Sequence, residues 1–358
     1  MTSERIALLR QKMAEQNLPA LLVTQTLNRR YVSGFSGSAG ILFITEDKAL
    51  LLTDFRYVER AAEEAPDCEI MEVDGSLAPM LPDLMSEAGA DKVGFESAYV
   101  PYAEYKAWRG KIGASALSPV LGLVEGLRSV KSQEEAALIR QAVRISDGAY
   151  GHLKEYLRPG MTEKQVAWEL EVWMRTHGAD DIAFDIIVAS GPNGARPHAL
   201  ASDREIGEGE PITVDMGAAV RGYNSDLTRT FCLGHADDQF CKVFDITLRA
   251  QEAAERFIKP GVAGKDADAV ARDIIKAAGH GEQFGHGLGH GVGMAVHESP
   301  GMGPKAVAAL APGNIVTVEP GIYIAGWGGV RIEDMVLVTE SGVEVLTQAA
   351  KDRVIPVK

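Results

Sequence analysis

The stretch Gly209-Glu-Pro-Ile-Thr-Val-Asp-Met-Gly217 returns later in the chain as Gly313-Asn-Ile-Val-Thr-Val-Glu-Pro-Gly321, a displacement of 104 positions (313 − 209). A second phrase, Arg158-Pro-Gly-Met-Thr-Glu-Lys164, is repeated loosely as Lys259-Pro-Gly-Val-Ala-Gly-Lys265 at an offset of 101 (259 − 158). Two landmarks with nearly the same offset indicate an internal repeat, and two copies are too few for a solenoid. Each half is therefore predicted to run helix, turn, helix and strand pair, with the halves packed about a pseudo-twofold axis.

The repeat occupies only the later part of a chain whose 358 residues suit two domains. Before it, short apolar runs alternate with helical stretches, which predicts an α/β domain over residues 1–125. The predicted strands are Ala20–Thr24, Gly40–Thr45, Lys48–Thr53 and Lys92–Glu96, and the predicted helices cover 3–16, 55–65 and 101–112. The second domain, residues 126–358, is predicted to be α+β. Two capping boxes open its first helices, Ser132-Gln-Glu-Glu135 and Thr162-Glu-Lys-Gln165.

Net charge, apolar content and cysteine content indicate which binding partners and which cellular compartment to expect. The formal net charge of −14 argues against nucleic acid or an anionic membrane, because both are themselves negatively charged. No apolar run approaches the ~18–20 residues that span a membrane, and the N-terminus, charged from Glu4 onward, does not resemble a secretory signal. Three scattered cysteines without a CxxC pair suggest reduced thiols. These features predict a cytoplasmic protein with no nucleic-acid or membrane partner.

Acidic residues stand at matching places in the two halves. The repeated strand ends in Asp215 in the first half and in Glu319 in the second. Each half offers a further acid on its next strand, Asp226 and Glu333. Because side chains alternate along a strand, Asp226 shares its face with Thr228. The hydroxyl of Thr228 would orient a metal-binding carboxylate, or Thr228 is a strand threonine favoured only by its β propensity. Four carboxylates are expected to converge inside the sheet, where burial and repulsion would raise their pKa values unless two divalent cations bind.

A histidine is predicted to complete this ligand set. The segment Phe284-Gly-His-Gly-Leu-Gly-His-Gly-Val-Gly293 places His290 among glycines that allow the backbone to come close to a metal centre. Oxygen donors with one imidazole suit Mn²⁺, Co²⁺, Fe²⁺ or Zn²⁺. Two such ions ~3.5–4 Å apart would lower the pKa of a shared water enough for hydrolysis near neutral pH. The sequence thus predicts a two-metal hydrolase.

Other motifs of hydrolases and nucleotide-binding proteins do not fit. The glycines of this segment do not match G-x-G-x-x-G, and no G-K-[ST] follows them. His297 is followed by Glu298, but no second histidine completes an H-E-x-x-H motif, and no G-x-S-x-G elbow is present. His286 and His297 flank His290 closely enough to be functional candidates, and His198 is a further candidate in a loop.

These residues resemble the proline-peptidase branch of the pita-bread metallopeptidases, which are the Xaa-Pro aminopeptidases and the Xaa-Pro dipeptidases or prolidases. The matching segments are Val214-Asp-Met-Gly217, Ser225-Asp-Leu-Thr-Arg-Thr230, His286-Gly-Leu-Gly-His-Gly-Val-Gly293, Val296-His-Glu-Ser-Pro-Gly301, Val318-Glu-Pro-Gly-Ile-Tyr323 and Val330-Arg-Ile-Glu-Asp334. They occur in family order and at family-like spacing. Tyr31-Val-Ser-Gly-Phe-Ser-Gly-Ser-Ala-Gly40 and Leu52-Thr-Asp-Phe-Arg-Tyr57 extend the likeness to the N-terminal part and favour the aminopeptidase side.

The resemblance implies a role for each matching residue. Asp215 and Asp226 would hold one metal and His290 and Glu319 the other, with Asp226 and Glu333 bridging both. Glu319 would also move a proton from the nucleophilic water to the leaving nitrogen. His198 and His297 would stabilise the oxyanion and position the scissile carbonyl, and His286, Tyr323 and Arg331 would lie near the proline of the substrate.

The resemblance further implies a homodimer that uses manganese, with Co²⁺ or Zn²⁺ as alternatives, and that acts on proline-containing peptides. Two alternatives to an Xaa-Pro aminopeptidase stay open, a strict Xaa-Pro dipeptidase and a non-catalytic peptide-binding protein on the same fold. Creatinase-like relatives lack the metal set, which is intact here. Methionine aminopeptidases usually lack an N-terminal domain like residues 1–125.

Overall fold

The structure, a computed structural model, describes residues 2–357 and divides into two compact units, Met1–Arg128 and Ser129–Lys358. Within the described residues, no helix is both long and apolar enough to cross a membrane.

The N-terminal unit is an α/β domain built on one six-stranded sheet of order β4-β3-β2-β1-β5-β6. Its strands are β1 (Ala20–Val23), β2 (Ile41–Thr45), β3 (Ala49–Thr53), β4 (Glu69–Glu72), β5 (Val93–Glu96) and β6 (Leu117–Val120). Its helices are α1 (Thr2–Glu15), α2 (Thr26–Ser33), α3 (Val58–Glu64), α4 (Leu81–Glu87), α5 (Tyr102–Ile112) and α6 (Leu123–Ser129). The central strands β1, β2 and β3 pair antiparallel, and the outer pairs are parallel.

The sequence predicted the strongly apolar elements of this unit and missed the weaker ones. All four predicted strands are present with their ends within one residue, because their side chains are almost wholly buried. The edge strand β4 was missed because its Glu-Ile-Met-Glu sequence is half-exposed and lacks a clear apolar run. The helices α2, α4 and α6, of seven or eight residues, were missed, whereas α3, of similar length, was predicted within the longer stretch 55–65.

Four helices of the C-terminal unit arise in pairs, one pair in each half of the repeat. They are α7 (Gln133–Tyr156), α8 (Glu163–Thr176), α9 (Asp238–Phe257) and α10 (Gly264–Ala277). Both predicted capping boxes are confirmed. The hydroxyls of Ser132 and Thr162 each accept the backbone N–H of the residue three positions on, and the side chain of that residue accepts the backbone N–H of Ser132 or Thr162. The chain therefore begins these helices where the local sequence satisfies their free N–H groups.

The strands of this unit form two main sheets, β20-β12-β9-β8 and β14-β13-β15-β18-β19, with the small groups β11-β10-β7 and β16-β17. Those of the first half are β7 (Asp181–Ile182), β8 (Ile187–Ser190), β9 (Pro211–Met216), β10 (Ala218–Val220), β11 (Tyr223–Asn224) and β12 (Leu227–Leu233). Those of the second half are β13 (Gly289–Gly291), β14 (Glu298–Met302), β15 (Ile315–Val318), β16 (Gly321–Ile324), β17 (Gly328–Arg331), β18 (Asp334–Val338), β19 (Val343–Val345) and β20 (Val354–Ile355).

The internal repeat appears directly in the hydrogen bonds. An isolated bridge joins Thr162 to Glu205 in the first half, and its counterpart joins Ala263 to Ala309 in the second. The two ends of this bridge are displaced by 101 (263 − 162) and by 104 (309 − 205), the offsets read from the sequence. Glu163 N likewise donates to Arg204 O, and Gly264 N donates to Ala308 O. The repeated halves predicted from the sequence are confirmed.

Each half has its own apolar core between its helices and one face of its strands. In the first half, residues such as Leu153 and Leu170 on the helices pack with Val214 and Phe231 on the strands. In the second, the helices α9 and α10 cover buried residues of β15, β17 and β18. Because strand side chains alternate, the opposite face of β9 and β12 is left to polar residues. That polar face carries the candidate site.

The repeat predicts opposite effects of two substitutions at equivalent helix starts. Thr162 caps α8 with its side chain, whereas its counterpart Ala263 has cap-like dihedral angles of −77° and 145° but no side-chain hydrogen bond. We expect Thr162→Ala to cost ~0.5–2 kcal/mol and Ala263→Ser to stabilise by a similar amount. Urea denaturation monitored by circular dichroism measures both changes. A loss of stability in Ala263→Ser would contradict the equivalence of the two helix starts.

Candidate metal centre

The polar face of β9 and β12 brings the first-half acids together. The two strands pair antiparallel, with Asp215 opposite Thr228 and Thr213 opposite Thr230. The hydroxyls of Thr213 and Thr230 lie 3.0 Å apart in a buried hydrogen bond, so this part of the face is packed. The predicted strand-face assignment for these residues is confirmed.

Three carboxylates from the two halves form one cluster. Asp215, Asp226 and Glu333 offer oxygens that all lie within 4.8 Å of one another. Burial, together with the neighbouring carboxylates, raises the pKa of Asp226 and of Glu333 well above the usual range. Among the described residues, Asp215 Oδ1 and Glu333 Oε1 are buried without any hydrogen-bond partner. Acceptor oxygens left bare in this way fit divalent cations, which take carboxylate oxygens as ligands.

His290 and Glu319 extend this cluster from the second half. His290 Nε2 lies 3.2 Å from Glu319 Oε1 and 3.7 Å from Asp226 Oδ2. Burial alone would lower the pKa of His290, but the hydrogen bond to Glu319, the charges of Glu319 and Asp215 and the Gly291 carbonyl together outweigh it and raise that pKa. Thr317 Oγ1 accepts the backbone N–H of His290 at 3.0 Å and donates to Glu319 Oε1 at 3.1 Å. One threonine hydroxyl therefore fixes the backbone of His290 and the side chain of Glu319.

Gly289 makes this arrangement sterically possible. A Cβ at Gly289 would collide with the carbonyl oxygen and the hydroxyl of Thr317. The glycine-rich segment was predicted to let the backbone approach the centre, and here it brings β13 against β15.

Thr228 and Arg331 hold the acids from the side. Thr228 Oγ1 donates to Glu333 Oε2 at 2.7 Å and accepts from Arg331 Nε at 3.0 Å. Arg331 Nη2 donates to Asp215 Oδ2 at 2.6 Å. The hydroxyl of Thr228 thus orients a carboxylate as predicted, although the carboxylate is Glu333 across the repeat rather than Asp226 beside it.

The acids of the centre can all be ionised only if cations bind. With all four ionised, one guanidinium and one protonated imidazole would leave two negative charges uncompensated (4 − 1 − 1), and this repulsion is part of what raises the pKa of Asp226 and Glu333. Uncompensated charges are costly in a buried site. The residues therefore fit divalent ions, which Asp215, Asp226, His290, Glu319 and Glu333 would hold.

Three further predicted residues form a hydrogen-bonded chain at the edge of the centre. His286 Nε2 lies 3.0 Å from the hydroxyl of Tyr323, and Arg331 Nη1 donates to the same hydroxyl at 2.9 Å. Burial lowers the pKa of His286, which favours the neutral imidazole at neutral pH. Arg331 Nη1 also donates to Pro197 O at 3.1 Å, in the segment that carries His198.

A cavity of about 400 Å³ opens onto the acids. Its lining includes Asp215, Asp226, His286, His290, Glu319 and Arg331, together with His198 and His297. The rings of His290 and His297 have centroids 4.2 Å apart. Burial and the neighbouring His290 lower the pKa of His297, so this imidazole is neutral at neutral pH and carries one N–H donor.

Sequence reasoning missed the apolar walls of this cavity. They include Phe184, Ile187, Leu200 and Val296, which the sequence shows only as ordinary apolar residues near strands and loops. One local pattern could have indicated these walls. The apolar residues of Phe184-Asp-Ile-Ile187 come shortly before the loop that begins at Ser190 and carries His198.

Glu163 lies within the predicted capping box at Thr162, and in the structure its side chain also organises the loop of His198. Its wholly buried carboxylate accepts hydrogen bonds from Ser190, Asn193 and Ser202, which lie on both sides of that loop. The sequence gives no sign of this contact, because the three donors become neighbours only in the folded chain.

Asp334 lies next to Glu333 but takes part in a separate network. It pairs with Arg229 at 2.7 Å and with Lys351 at 2.6 Å, and these cations hold the pKa of its carboxyl below the usual range despite burial. Arg229 also donates to the backbone carbonyl of Glu333. One acid of the Glu333-Asp334 pair therefore serves the centre, and the other is neutralised by fixed cations.

Family comparisons place both parts of the chain in known families. A model described as "Metallopeptidase family M24" matches residues 137–340. A second model, described as "Creatinase/Prolidase N-terminal domain", matches residues 5–130. The resemblance read from the sequence is confirmed.

Similar proteins extend over the whole chain. An uncharacterized peptidase, YqhT, of Bacillus subtilis is 44% identical over 97% of this chain and 98% of its own length. The structure of an Xaa-Pro dipeptidase from Bacillus anthracis has a TM-score of 0.95 at 42% identity, covering 99% of each chain. An X-Pro aminopeptidase from Thermotoga maritima has a TM-score of 0.88 at 37% identity, covering 96% of this chain and 100% of that one.

The centre predicts opposite effects of removing charge from the two adjacent acids, both 1% exposed. In metal-free protein, Glu333→Gln should relieve repulsion and raise Tm by ~2–4 °C, the shift that ~1 kcal/mol produces in a domain of this size. Asp334→Asn should lower Tm, because breaking a buried ion pair costs ~3–5 kcal/mol. Calorimetry in excess chelator measures both.

Metal affinity should also differ between Glu333→Gln and Asp334→Asn. Titration calorimetry with Mn²⁺ should show weakened binding in Glu333→Gln and near-normal binding in Asp334→Asn. A metal-free Glu333→Gln variant that is destabilised as much as Asp334→Asn would contradict the predicted repulsion.

Proposed function

Because this chain belongs to metallopeptidase family M24, we propose that it is a two-metal exopeptidase that hydrolyses the peptide bond between an N-terminal residue and proline. The observation that carries the proposal is the cluster of Asp215, Asp226 and Glu333, with bare buried oxygens and His290 and Glu319 beside it. Relatives named as Xaa-Pro dipeptidase and X-Pro aminopeptidase support cleavage beside proline. Residues 126–358 would be the catalytic domain, and residues 1–125 the creatinase/prolidase-like N-terminal domain.

The five clustered residues would divide two ions between them. Asp215 and Asp226 would hold one ion, His290 and Glu319 the other, and Asp226 and Glu333 would bridge both. The ions would polarise the scissile carbonyl and lower the pKa of the attacking water. Arg331 and Thr228 keep Asp215 and Glu333 in fixed orientations, which supports affinity for the ions.

Acid–base chemistry would fall to residues at the cavity wall. Glu319, fixed by Thr317, would take the proton of the attacking water and pass it to the leaving prolyl nitrogen. His297, neutral beside His290, and His198 would donate N–H hydrogen bonds to the developing oxyanion and position the carbonyl.

Proline selection follows from what the substrate nitrogen lacks. The proline nitrogen in a peptide bond carries no N–H. A site selective for proline therefore needs room for the ring, and it should not contain a hydrogen-bond acceptor that must be paired with a substrate N–H. Apolar residues such as Phe184, Leu200 and Val296 line the cavity beside His286 and Arg331. These walls would exclude water and receive the ring.

Arg331 favours an aminopeptidase over a strict dipeptidase. Its Nε donates to Thr228, its Nη1 to Tyr323 and Pro197, and its Nη2 to Asp215. A guanidinium has five N–H donors, so only one is left uncommitted (5 − 4). One donor suffices for a backbone carbonyl of a longer peptide, whereas a free prolyl carboxylate is best bound by two parallel donors.

The two alternatives differ in what they require of the site. A strict Xaa-Pro dipeptidase would use the same ions but bind the free prolyl carboxylate. A non-catalytic peptide-binding protein does not need the metal set, and all five ligand residues are present here. The manganese preference and the homodimer stay predictions that the family resemblance makes.

Metal removal tests the centre. We expect about two divalent ions per chain, loss of activity with a chelator, and recovery when Mn²⁺, Co²⁺ or Zn²⁺ is added back separately. Elemental analysis and a peptide assay measure these outcomes on one sample. Full activity in excess chelator, with no metal detected, would refute the two-metal site.

A small peptide panel tests the substrate. We expect X-Pro-Y tripeptides to be cut between X and Pro, with release of the free N-terminal residue. X-Ala-Y peptides should have kcat/KM lower by about tenfold or more, which corresponds to ~1.4 kcal/mol of ring contacts in the transition state.

The panel also separates the alternatives. Cleavage of X-Pro dipeptides without X-Pro-Y would assign a dipeptidase. Equal kcat/KM for the alanine and proline series would reject proline selectivity and leave the two-metal hydrolase standing.

A further inference from the structure

A buried ion pair lies directly beside His297 and outside the metal centre. Lys131 Nζ contacts Glu298 Oε1 at 2.8 Å, and the two side chains are only 1% and 6% exposed. Glu298 follows His297 in the chain, whereas Lys131 stands 167 residues earlier. A buried pair of this kind is seldom the most stable solution, because well-packed apolar residues often do as well. The position of the Lys131–Glu298 pair beside His297 therefore suggests a role other than stability.

The Glu298 carboxylate holds the short segment Gly293–Glu298 in a closed turn. Its Oε2 accepts the backbone N–H of Ala295 at 3.2 Å. A Cβ at Gly293 would collide with the same carboxylate, so the segment wraps tightly around it. Asn224 Nδ2 fixes the start of the turn by donating to the carbonyls of Gly293 and Met294. The backbone that carries His297 thus depends on where Glu298 is held.

Lys131 connects this turn to β15, the strand that ends just before Glu319. Its backbone N–H donates to Gly313 O at 2.9 Å, and Val130 forms a bridge with Asn314 at the entry to β15. That strand leads to Glu319 at its far end. The ammonium group of Lys131 therefore joins the turn of His297 to the frame of the metal ligands.

We propose that Lys131 is a positioning residue for His297 and acts through Glu298. The inference rests on the proposed function, in which His297 donates a hydrogen bond to the oxyanion. Neither Lys131 nor Glu298 lines the cavity or belongs to the ligand cluster, so their effect reaches the substrate only through the turn. An imidazole displaced by about 1 Å can cost ~100-fold in rate.

Substitution of Lys131 tests the inference in the metal-loaded enzyme. Lys131→Met should lower kcat ~10–100-fold with a smaller change in KM, and Lys131→Arg should retain most of kcat. Lys154→Met is the matched control, because Lys154 makes a 2.7 Å pair with Asp352 on the partly exposed side of α7 and should keep normal kcat. Co²⁺ stoichiometry should be unchanged in all three variants.

A double-mutant cycle separates positioning from general destabilisation. In a His297→Ala background, Lys131→Met should reduce kcat by less than about twofold, because the group it positions is already gone. Effects that multiply in the double variant would overturn the proposal, as would a wild-type kcat in Lys131→Met.

The charge-free pair Lys131→Met/Glu298→Gln leaves no unpaired buried charge, so it can replace Lys131→Met in the test if that single variant does not fold. It too should lose ~10-fold or more in kcat, and normal kcat would overturn the proposal.

A readout independent of peptide hydrolysis distinguishes this inference from the proposed function. Histidine side-chain NMR, with the His297 signals assigned from His297→Ala, should show those signals shifted or broadened in Lys131→Met and unchanged in Lys154→Met. Absence of peptide cleavage by wild-type enzyme together with the NMR change would reject the function and retain the positioning contact. Unchanged His297 signals in Lys131→Met would reject the contact.

Discussion

Mutual repulsion among buried carboxylates is the constraint on which the C-terminal unit depends. Asp215, Asp226 and Glu333 offer oxygens within 4.8 Å of one another, and little of the three side chains is exposed to solvent. The surrounding structure can be understood as a response to that repulsion. Arg331 supplies one fixed cation and Thr228 one oriented hydroxyl, while the bare oxygens are left for ions. A fold that gathers these acids gives up stability that only a bound partner restores.

The two faces of each strand keep the reactive and the structural charges apart. Glu333 faces the cluster, whereas Asp334, the next residue, faces Arg229 and Lys351 on the other side. The alternation of strand side chains produces this separation without any intervening layer. Two acids with the same burial therefore have pKa values shifted in opposite directions, Glu333 upward and Asp334 downward.

Features set by local spacing could be predicted from the sequence, and features set by distant contacts could not. The alternation along β9 and β12 and the capping boxes at Ser132 and Thr162 depend on residues close in the chain, and the repeat shows as similar short segments at a constant offset, so all were predicted. Contacts such as Lys131 with Glu298 join residues 167 positions apart, and no short pattern records them. The cavity walls were missed for a related reason, because an apolar residue looks the same in a core and in a pocket. The roles of His198 and His297 depend on the family resemblance and stay predictions.

The repeat also determines how the two halves are joined. Asp215 and Asp226 come from one half and Glu319 and Glu333 from the other, and the contacts Thr228–Glu333 and Asp215–Arg331 cross between them. Ions bound at this seam would add cross-links to these contacts between the two apolar cores. Kinetic stability would then follow metal occupancy, because separating the halves would first require breaking the ligand bonds. The ions proposed for hydrolysis would in this way govern how fast the protein opens to proteases.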